Sequence, residues 1–406
     1  MIDLNALREQ TEKIIASIKR KDPDFEIEKL VSLDKLVRQL KIEIETLRNQ
    51  KNELSKLGHS SITQEIKDQS KNISNNLKNK ESELENIERE FRNLYLMCPN
   101  VPFEDVPNGN KESNKVVKEV GSKPEFKFEP KNHVELGKKL GWFDFEAASV
   151  MTGSNFALYK GDGVKLVYSL MLFMLKNNIK HGYEPILPPY LVNEKSLECA
   201  SNFPRFKDAV YEVEKDNLYL TPTAEVNLTN LYRDNIFSSE ELPVRMTAWT
   251  SCFRREAGTY GASERGLIRI HQFEKVELYT ISEPENAANE LDRMIACAED
   301  ILNQLGLHYR ISLLAAQDCS FASAKTYDIE VWMPGQKAYY EVSSSSNCTD
   351  FQARRSAIRY KSEPNAKPRL VNTLNASSLA LPRLLVALME TYQQEDGSIA
   401  YPDVLK

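Results

Sequence analysis

SCFRREAGTYGASERGLIRIHQFEKVE, residues 251–277, is the segment from which the architecture of this chain follows. It reads as two strands joined by a glycine-containing loop. Before the loop, Met246, Ala248, Thr250, Cys252, Arg254 and Glu256 share one face at period 2. After it, Arg269, His271, Phe273, Lys275 and Glu277 share a face, with Ile268, Ile270 and Val276 pointing the other way. A half-buried strand ordinarily keeps an apolar row inside and scattered charges outside. Here one row gathers acids, bases and an aromatic ring at spacings that can aim them into one cleft. A charged hairpin alone also fits an exposed face laced with salt bridges, so its neighbours carry the decision.

Composition narrows the field. A chain of 406 residues accommodates two or three domains and a large core. Its 41% hydrophobic and 28% charged content is that of an ordinary globular protein. A net charge of −6 carries no global nucleic-acid signature, so any such binding must come from a local patch. No apolar run approaches the ~20 residues of a membrane span, and the opening MIDLNALREQ lacks a signal-peptide layout. Six well-separated cysteines, with no CxxC or HExxH, predict reduced thiols in a cytoplasmic protein and no zinc. Neither a GxxxxGK loop nor a GxGxxG turn is present, so a nucleotide would be held in some other way.

Residues 1–98 read as a helical arm. Leu33, Leu40, Leu47 and Leu54 recur every seven residues; Ile66, Ile73, Leu77, Leu84, Ile87, Phe91 and Leu94 follow alternating steps of three and four. With a turn at Gly58-His59-Ser60, this predicts an antiparallel two-helix coiled coil over about 33–94, projecting about 40 Å. From Leu47 to Lys80, seven bases face three acids, 7 − 3 = +4, while the root is acidic. A basic tip on a stiff arm suits a polyanion held at a distance; a solvated coiled-coil face suits it equally.

Residues 99–130, rich in Pro, Asn, Lys and Glu, read as a linker into a domain spanning 131–406. There an apolar helix, 164–178, precedes a strand-like Tyr183–Val192 interrupted by Pro188-Pro189, which places that strand at a sheet edge or a dimer contact. A helix over 285–305, a hairpin of 327–333 with 339–343, and a helix ending at Thr391 complete an α+β domain, a mainly antiparallel sheet flanked by helices.

TPTAE (221–225), FRREAG (253–258), RGLIRIHQFEKVE (265–277), EVSSSSNCTDFQARR (341–355) and TLNASSLALPR (373–383), in this order behind such an arm, resemble the bacterial-type seryl-tRNA synthetases, class II aminoacyl-tRNA synthetases, over essentially the whole chain. The resemblance implies a six-stranded antiparallel catalytic sheet working as a homodimer. It also implies a reaction: L-serine is activated by ATP to seryl-adenylate, and the seryl group passes to tRNA(Ser). In that chemistry the substrate carboxylate is the nucleophile, so catalysis reduces to alignment and to neutralising phosphate charge.

By the same resemblance Arg254 and Arg383 are the catalytic arginines. Arg254, Arg255, Glu256, Phe273, Glu341, Val342, Ser343, Ser344 and Arg383 bind ATP, with Glu256 accepting the adenine amino group and Phe273 lying against the base. Thr223, Ala224, Glu225, Arg254, Glu277 and Ser377 form the serine pocket. Glu341 and Ser344 carry Mg²⁺ with ATP, and Lys51, Lys67 and Lys71 stand for the tRNA contacts of the arm. Strict alternation puts Ser343, not Ser344, on the face of Glu341, so Ser344 requires the strand to bend there. Ala376, Ser378, Pro382 and Gln317 stand where the family commonly has glycine. The helix is expected to start late enough to hold Pro382 in its first turn. A catalytically weakened paralogue that binds RNA or a partner is the alternative these departures leave. An adenylating enzyme that loads a carrier protein fits less well, because the arm is long.

Overall fold

Two helices of similar length, Ile27–Gly58 and Gln64–Leu96, carry the heptads of the arm. The computed structural model describes residues 1–58, 63–256 and 266–405. They divide into two compact units, Met1–Pro99 and Asn100–Lys406. The turn at 59–60 and the loop 257–265 lie outside the described residues.

In the first unit Leu33, Val37, Leu40 and Ile44 are buried, whereas Leu47 and Leu54 are only half-buried. The root is where the short helices Leu4–Glu9 and Thr11–Lys21 add a third layer, with Arg8 bonded to the buried Asp34 at 2.6 Å. Two helices alone can bury only a narrow strip. Lys41–Glu88 (2.7 Å), Arg48–Glu81 (2.8 Å) and Lys80–Glu43 (3.0 Å) pair across the coil. Being exposed, they set register more than stability.

The second unit is built on one eight-stranded sheet. Its strands are β1 (Lys115–Val120), β2 (Glu184–Ile186), β3 (Val244–Phe253), β4 (Gln272–Ser282), β5 (Tyr309–Leu313), β6 (Lys325–Met333), β7 (Ala338–Asn347) and β8 (Asn372–Ala380), in the order β1-β5-β6-β7-β8-β4-β3-β2. The six inner strands are antiparallel throughout, as expected. The sheet is wider than six for two reasons. β1, inside the stretch read as a linker, pairs with β5, and β2 joins β3 in parallel. Pro188-Pro189 splits the expected strand Tyr183–Val192: β2 stays at the sheet edge, and Leu191–Asn193 pairs in a separate three-stranded sheet.

One face of the large sheet is covered by helices Asp162–Lys180, Ala287–Gln304 and Leu381–Thr391. Leu170, Met174, Met294, Leu384 and Leu388 bury against Val276, Leu278, Ile329, Val331 and Val342. At ~25 cal/mol per Å² of apolar surface this layer is the main source of stability. It also commits the alternate residues of β4, β7 and β8 to the opposite face.

The hairpin differs from strict alternation. Phe273 faces Cys252, Lys275 faces Thr250, and Glu277 faces Ala248. The ladder stops at Phe253 and Gln272, however, so Arg254, Glu256, Arg269 and His271 are not on a strand face. Glu256 turns left-handed, φ +49°, which breaks the period. Pro382 is the second residue of its helix, in the first turn, where no backbone N–H is missed.

Candidate active site

On the open face of the sheet lies a cavity of about 380 Å³, into which β4, β7, β8, the start of helix Ala224–Leu231 and the start of helix Leu381–Thr391 all project. Arg254 and Arg383 both line it, as do Thr223, Glu225, Glu256, Phe273, Glu277, Glu341, Ser344 and Ser377.

At one end the groups are acidic and tightly interlocked. An i, i+2 spacing alone would set Thr223 and Glu225 on one face of a strand, but Thr223 caps the helix Ala224–Leu231, its Oγ1 accepting from the Glu225 N–H at 3.2 Å. The cap turns both side chains toward β4. Thr223 Oγ1 donates to Glu277 Oε2 at 2.7 Å, Lys275 Nζ donates to Thr223 Oγ1 at 2.8 Å, and Lys275 also contacts Glu277 Oε2 directly. Lys275 and Glu277 are 6% and 1% exposed, so each charge depends on the other. Glu225 accepts from Gln352 Nε2 at 2.6 Å and from Asn375 Nδ2 at 3.1 Å. Burial, and then the negative charge of Glu277, push its carboxyl up to about 7.

The other end is basic and aromatic. The Arg254 guanidinium lies 5.3 Å from the Phe273 ring centroid, and its Nε donates to Pro222 O at 3.1 Å. Arg383 donates to Glu341 O at 2.8 Å, which leaves its side chain directed along the cavity. Glu256 is paired with Arg269 at 2.7 Å.

Two β-bulges determine which residues reach this space. On β7 an extra residue at Val342 shifts the register between Ile329–Ser343 and Glu330–Glu341. The shift returns Ser344, rather than Ser343, to the side of Glu341. On β8 the extra residue is Ser378, which leaves Ser377 opposite Glu277.

Four of the expected site residues are held away. Ala224 is fully buried in a core with Leu228 and Phe237. Arg255 turns outward, its Nε on Val210 O at 3.3 Å and its guanidinium over Tyr211. Val342 lies in the helix-covered core, and Ser343 is buried with its Oγ donating to Ser377 O at 2.5 Å. Val342 points to the covered face by simple alternation from Glu341, whereas Ser343 is turned away by the bulge, which period-2 reading cannot see. Lys275 and Asn375 were given no role by sequence reasoning, although Lys275 shares the strand face of Glu277.

The glycine departures are largely harmless to the cavity. Ala376 is buried on the covered face. Ser378 Oγ donates to the buried Asn178 at 3.0 Å, and Gln317 is exposed. Only Pro382 lines the cavity. Lys51, Lys67 and Lys71 are exposed on the arm, with no carboxylate partner among the described residues.

Among the described residues no group of three His, Cys, Asp or Glu side chains could hold a metal ion. Glu341 and Ser344 together still suit a hard cation whose other ligands come from phosphate. Behind them Asp328 accepts the Ser344 hydroxyl, and its buried Oδ1 has no hydrogen-bond partner among the described residues. Burial and the neighbouring Glu341 raise the Asp328 carboxyl well above the usual range.

Known proteins place this geometry in context. Residues 1–102 match the family described as the seryl-tRNA synthetase N-terminal domain, and residues 209–392 the tRNA synthetase class II core domain (G, H, P, S and T). The serine--tRNA ligase of Chlamydia abortus is 44% identical over 100% of this chain and 97% of its own length. Among solved structures, a seryl-tRNA synthetase from Pyrococcus horikoshii complexed with ATP superposes with a TM-score of 0.93 at 32% identity, covering 100% of this chain and 97% of that one. A cytoplasmic serine-tRNA ligase from Naegleria fowleri in complex with AMP follows at 0.86 and 28%, covering 100% and 96%.

Proposed function

The chain belongs to the seryl-tRNA synthetase family and is an ATP-dependent ligase of serine to tRNA; from that premise we propose that its 380 Å³ cavity holds both substrates, serine at the Glu225–Glu277 end and ATP at the Arg254–Arg383 end. The observation that carries this reading is the arrangement of charge in one cavity: Glu225 and Glu277, with Lys275 as the one cation bonded among them, at one end, and the Arg254 and Arg383 guanidinium groups at the other.

The serine ammonium pairs with Glu225 and its hydroxyl with Glu277 and Ser377. The carboxylate is left directed at the α-phosphorus, 3–3.5 Å being the separation a near-attack geometry requires. Arg254 bridges carboxylate and α-phosphate, its planar fork suiting both. Phe273 stacks on the adenine, and Arg383 takes the far phosphates. Glu256 meets the adenine amino group after its ion pair with Arg269 loosens. Mg²⁺, held by Glu341 and Ser344, supplies neutralisation of phosphate charge when bound. We place the enzyme in the cytoplasm as a homodimer; the exposed apolar side chains Tyr168, Leu172 and Ile179 on helix Asp162–Lys180, and Leu187 and Leu191 after β2, support the dimer.

The test is serine-dependent exchange of pyrophosphate into ATP, run beside threonine and alanine. Exchange with serine alone is expected; its absence with ATP binding intact would leave only the silent paralogue.

The arm reads tRNA by backbone and shape. Replacing Lys51, Lys67 and Lys71 together by Gln should weaken tRNA(Ser) binding by about tenfold or more and flatten its salt dependence by up to about 0.9 log unit per lost phosphate contact. Serine activation should be spared. Unaltered tRNA affinity in a filter-binding titration removes the arm from the interface.

Glu225 adds a pH signature. An acid whose carboxyl is raised to about 7 is protonated below that value and no longer attracts an ammonium. The KM for serine should therefore rise, approaching about tenfold per unit, as pH falls below about 7, while the KM for ATP changes little. Flat serine KM values across that range would contradict the assignment.

A further inference from the structure

We propose that Lys275 determines specificity in the serine pocket by locking the Thr223–Glu277 pair in one hydrogen-bonding orientation, an inference that rests on the reading of this cavity end as the serine site. An ammonium group donates and cannot accept. Lys275 Nζ, 2.8 Å from Thr223 Oγ1, therefore occupies one of that oxygen's lone pairs. The Glu225 N–H, 3.2 Å away, occupies the other. The single Thr223 hydroxyl proton is left one destination, Glu277 Oε2 at 2.7 Å. Thr223 is thus saturated and offers the substrate nothing.

Glu277 Oε2 also contacts Lys275, while no hydrogen bond from the described residues reaches Oε1. Oε1 is the acceptor that remains, beside Ser377 across the β4–β8 ladder. A carboxylate in so dry a place stays charged only with a cation against it. Lys275 is that cation, and it stands apart from the phosphate end. Serine presents a hydroxyl donor to a charged acceptor; alanine and glycine present none and leave the acceptor bare. Without the ammonium, Glu277 Oε2 would lose a partner and the Thr223 hydroxyl would be free to rotate, so nothing would hold Oε1 as a fixed acceptor toward the substrate.

The experiment is steady-state pyrophosphate exchange by the full-length enzyme and by Lys275→Met, with Lys275→Arg as the charge-restoring variant. For Lys275→Met the KM for serine should rise by about thirtyfold and the preference for serine over alanine should fall by at least about tenfold. The KM for ATP should stay within about twofold, and Lys275→Arg should recover part of the preference. A serine KM unchanged in Lys275→Met, or serine and ATP KM values that rise together, overturns the role. If Lys275→Met does not melt cooperatively, Thr223→Val removes the middle of the relay without unpairing a charge: about a tenfold rise in serine KM is expected, and no rise overturns the proposal. Wild-type exchange separates the two levels. Its absence defeats the ligase reading itself, whereas its presence with an unaltered variant defeats only the lysine.

Discussion

Arg254→Ala is expected to reduce serine-dependent pyrophosphate exchange by about 10²–10³-fold, on the order of 3–4 kcal/mol of transition-state stabilisation. The guanidinium lies against the Phe273 ring in the cavity, where on the proposed reading a serine carboxylate and an α-phosphate would meet. Charge accumulates there only as the pentacovalent arrangement forms, so the loss should fall on kcat more than on either KM. The variant should melt close to the wild type, because the strand end is held by the Arg254 N–H to His271 O at 2.9 Å, a backbone bond. Lysine should rescue poorly, since a point charge cannot bridge two planar acceptors. Arg383→Ala should be similarly slow but express itself partly in the KM for ATP, since that residue is the one proposed to meet the far phosphates. Exchange within about threefold of wild type in both variants would mean that chemistry occurs elsewhere.

Glu277→Ala carries the second large effect, and it appears in two observables. The substitution deletes the proposed acceptor of the serine hydroxyl, so a loss of about 10³-fold or more in kcat/KM for serine is expected, with alanine and glycine gaining ground relative to it. It also strands Lys275, only 6% exposed, without its carboxylate. Breaking one partner from a buried pair costs about 3–5 kcal/mol, which for a unit of this size lowers the melting temperature by about 5–8 °C. Coupling the change with Lys275→Met should return most of the melting temperature and none of the exchange. Recovery of activity in the double variant would show that the pair is structural only.

How much of this was readable beforehand depended on the kind of signal. The arm announced itself through heptads, because leucines at a fixed period need nothing but a partner helix to bury them, and both helices extend close to where the pattern places them. The core helices were legible from an apolar run at 164–178 and from the proline ahead of 285–305. Pro382 was placed correctly from its chemistry alone, since a residue without an N–H belongs in the first turn. The strand β1 was not legible. KVVKEV is mostly exposed and lies among prolines and lysines, and only the free edge of β5 recruits it. Nor was the outward turn of Arg255, which depends on Val210 and Tyr211, more than forty positions away in sequence.

Residue types and spacing by themselves determined the class of the fold, the two-part layout and most of the polar groups that meet in the cavity, because each is written in local periodicity or in side-chain chemistry. Tertiary structure decided which of two adjacent serines reaches that cavity. It also decided whether Thr223 is a strand residue or a helix cap, and that Lys275 is the counter-ion of Glu277. Those outcomes rest on one inserted residue in each of two strands and on a helix end brought against β4. A bulge reverses the facing of every side chain beyond it, and its position is set by how neighbouring strands pack, not by the order of residues within one.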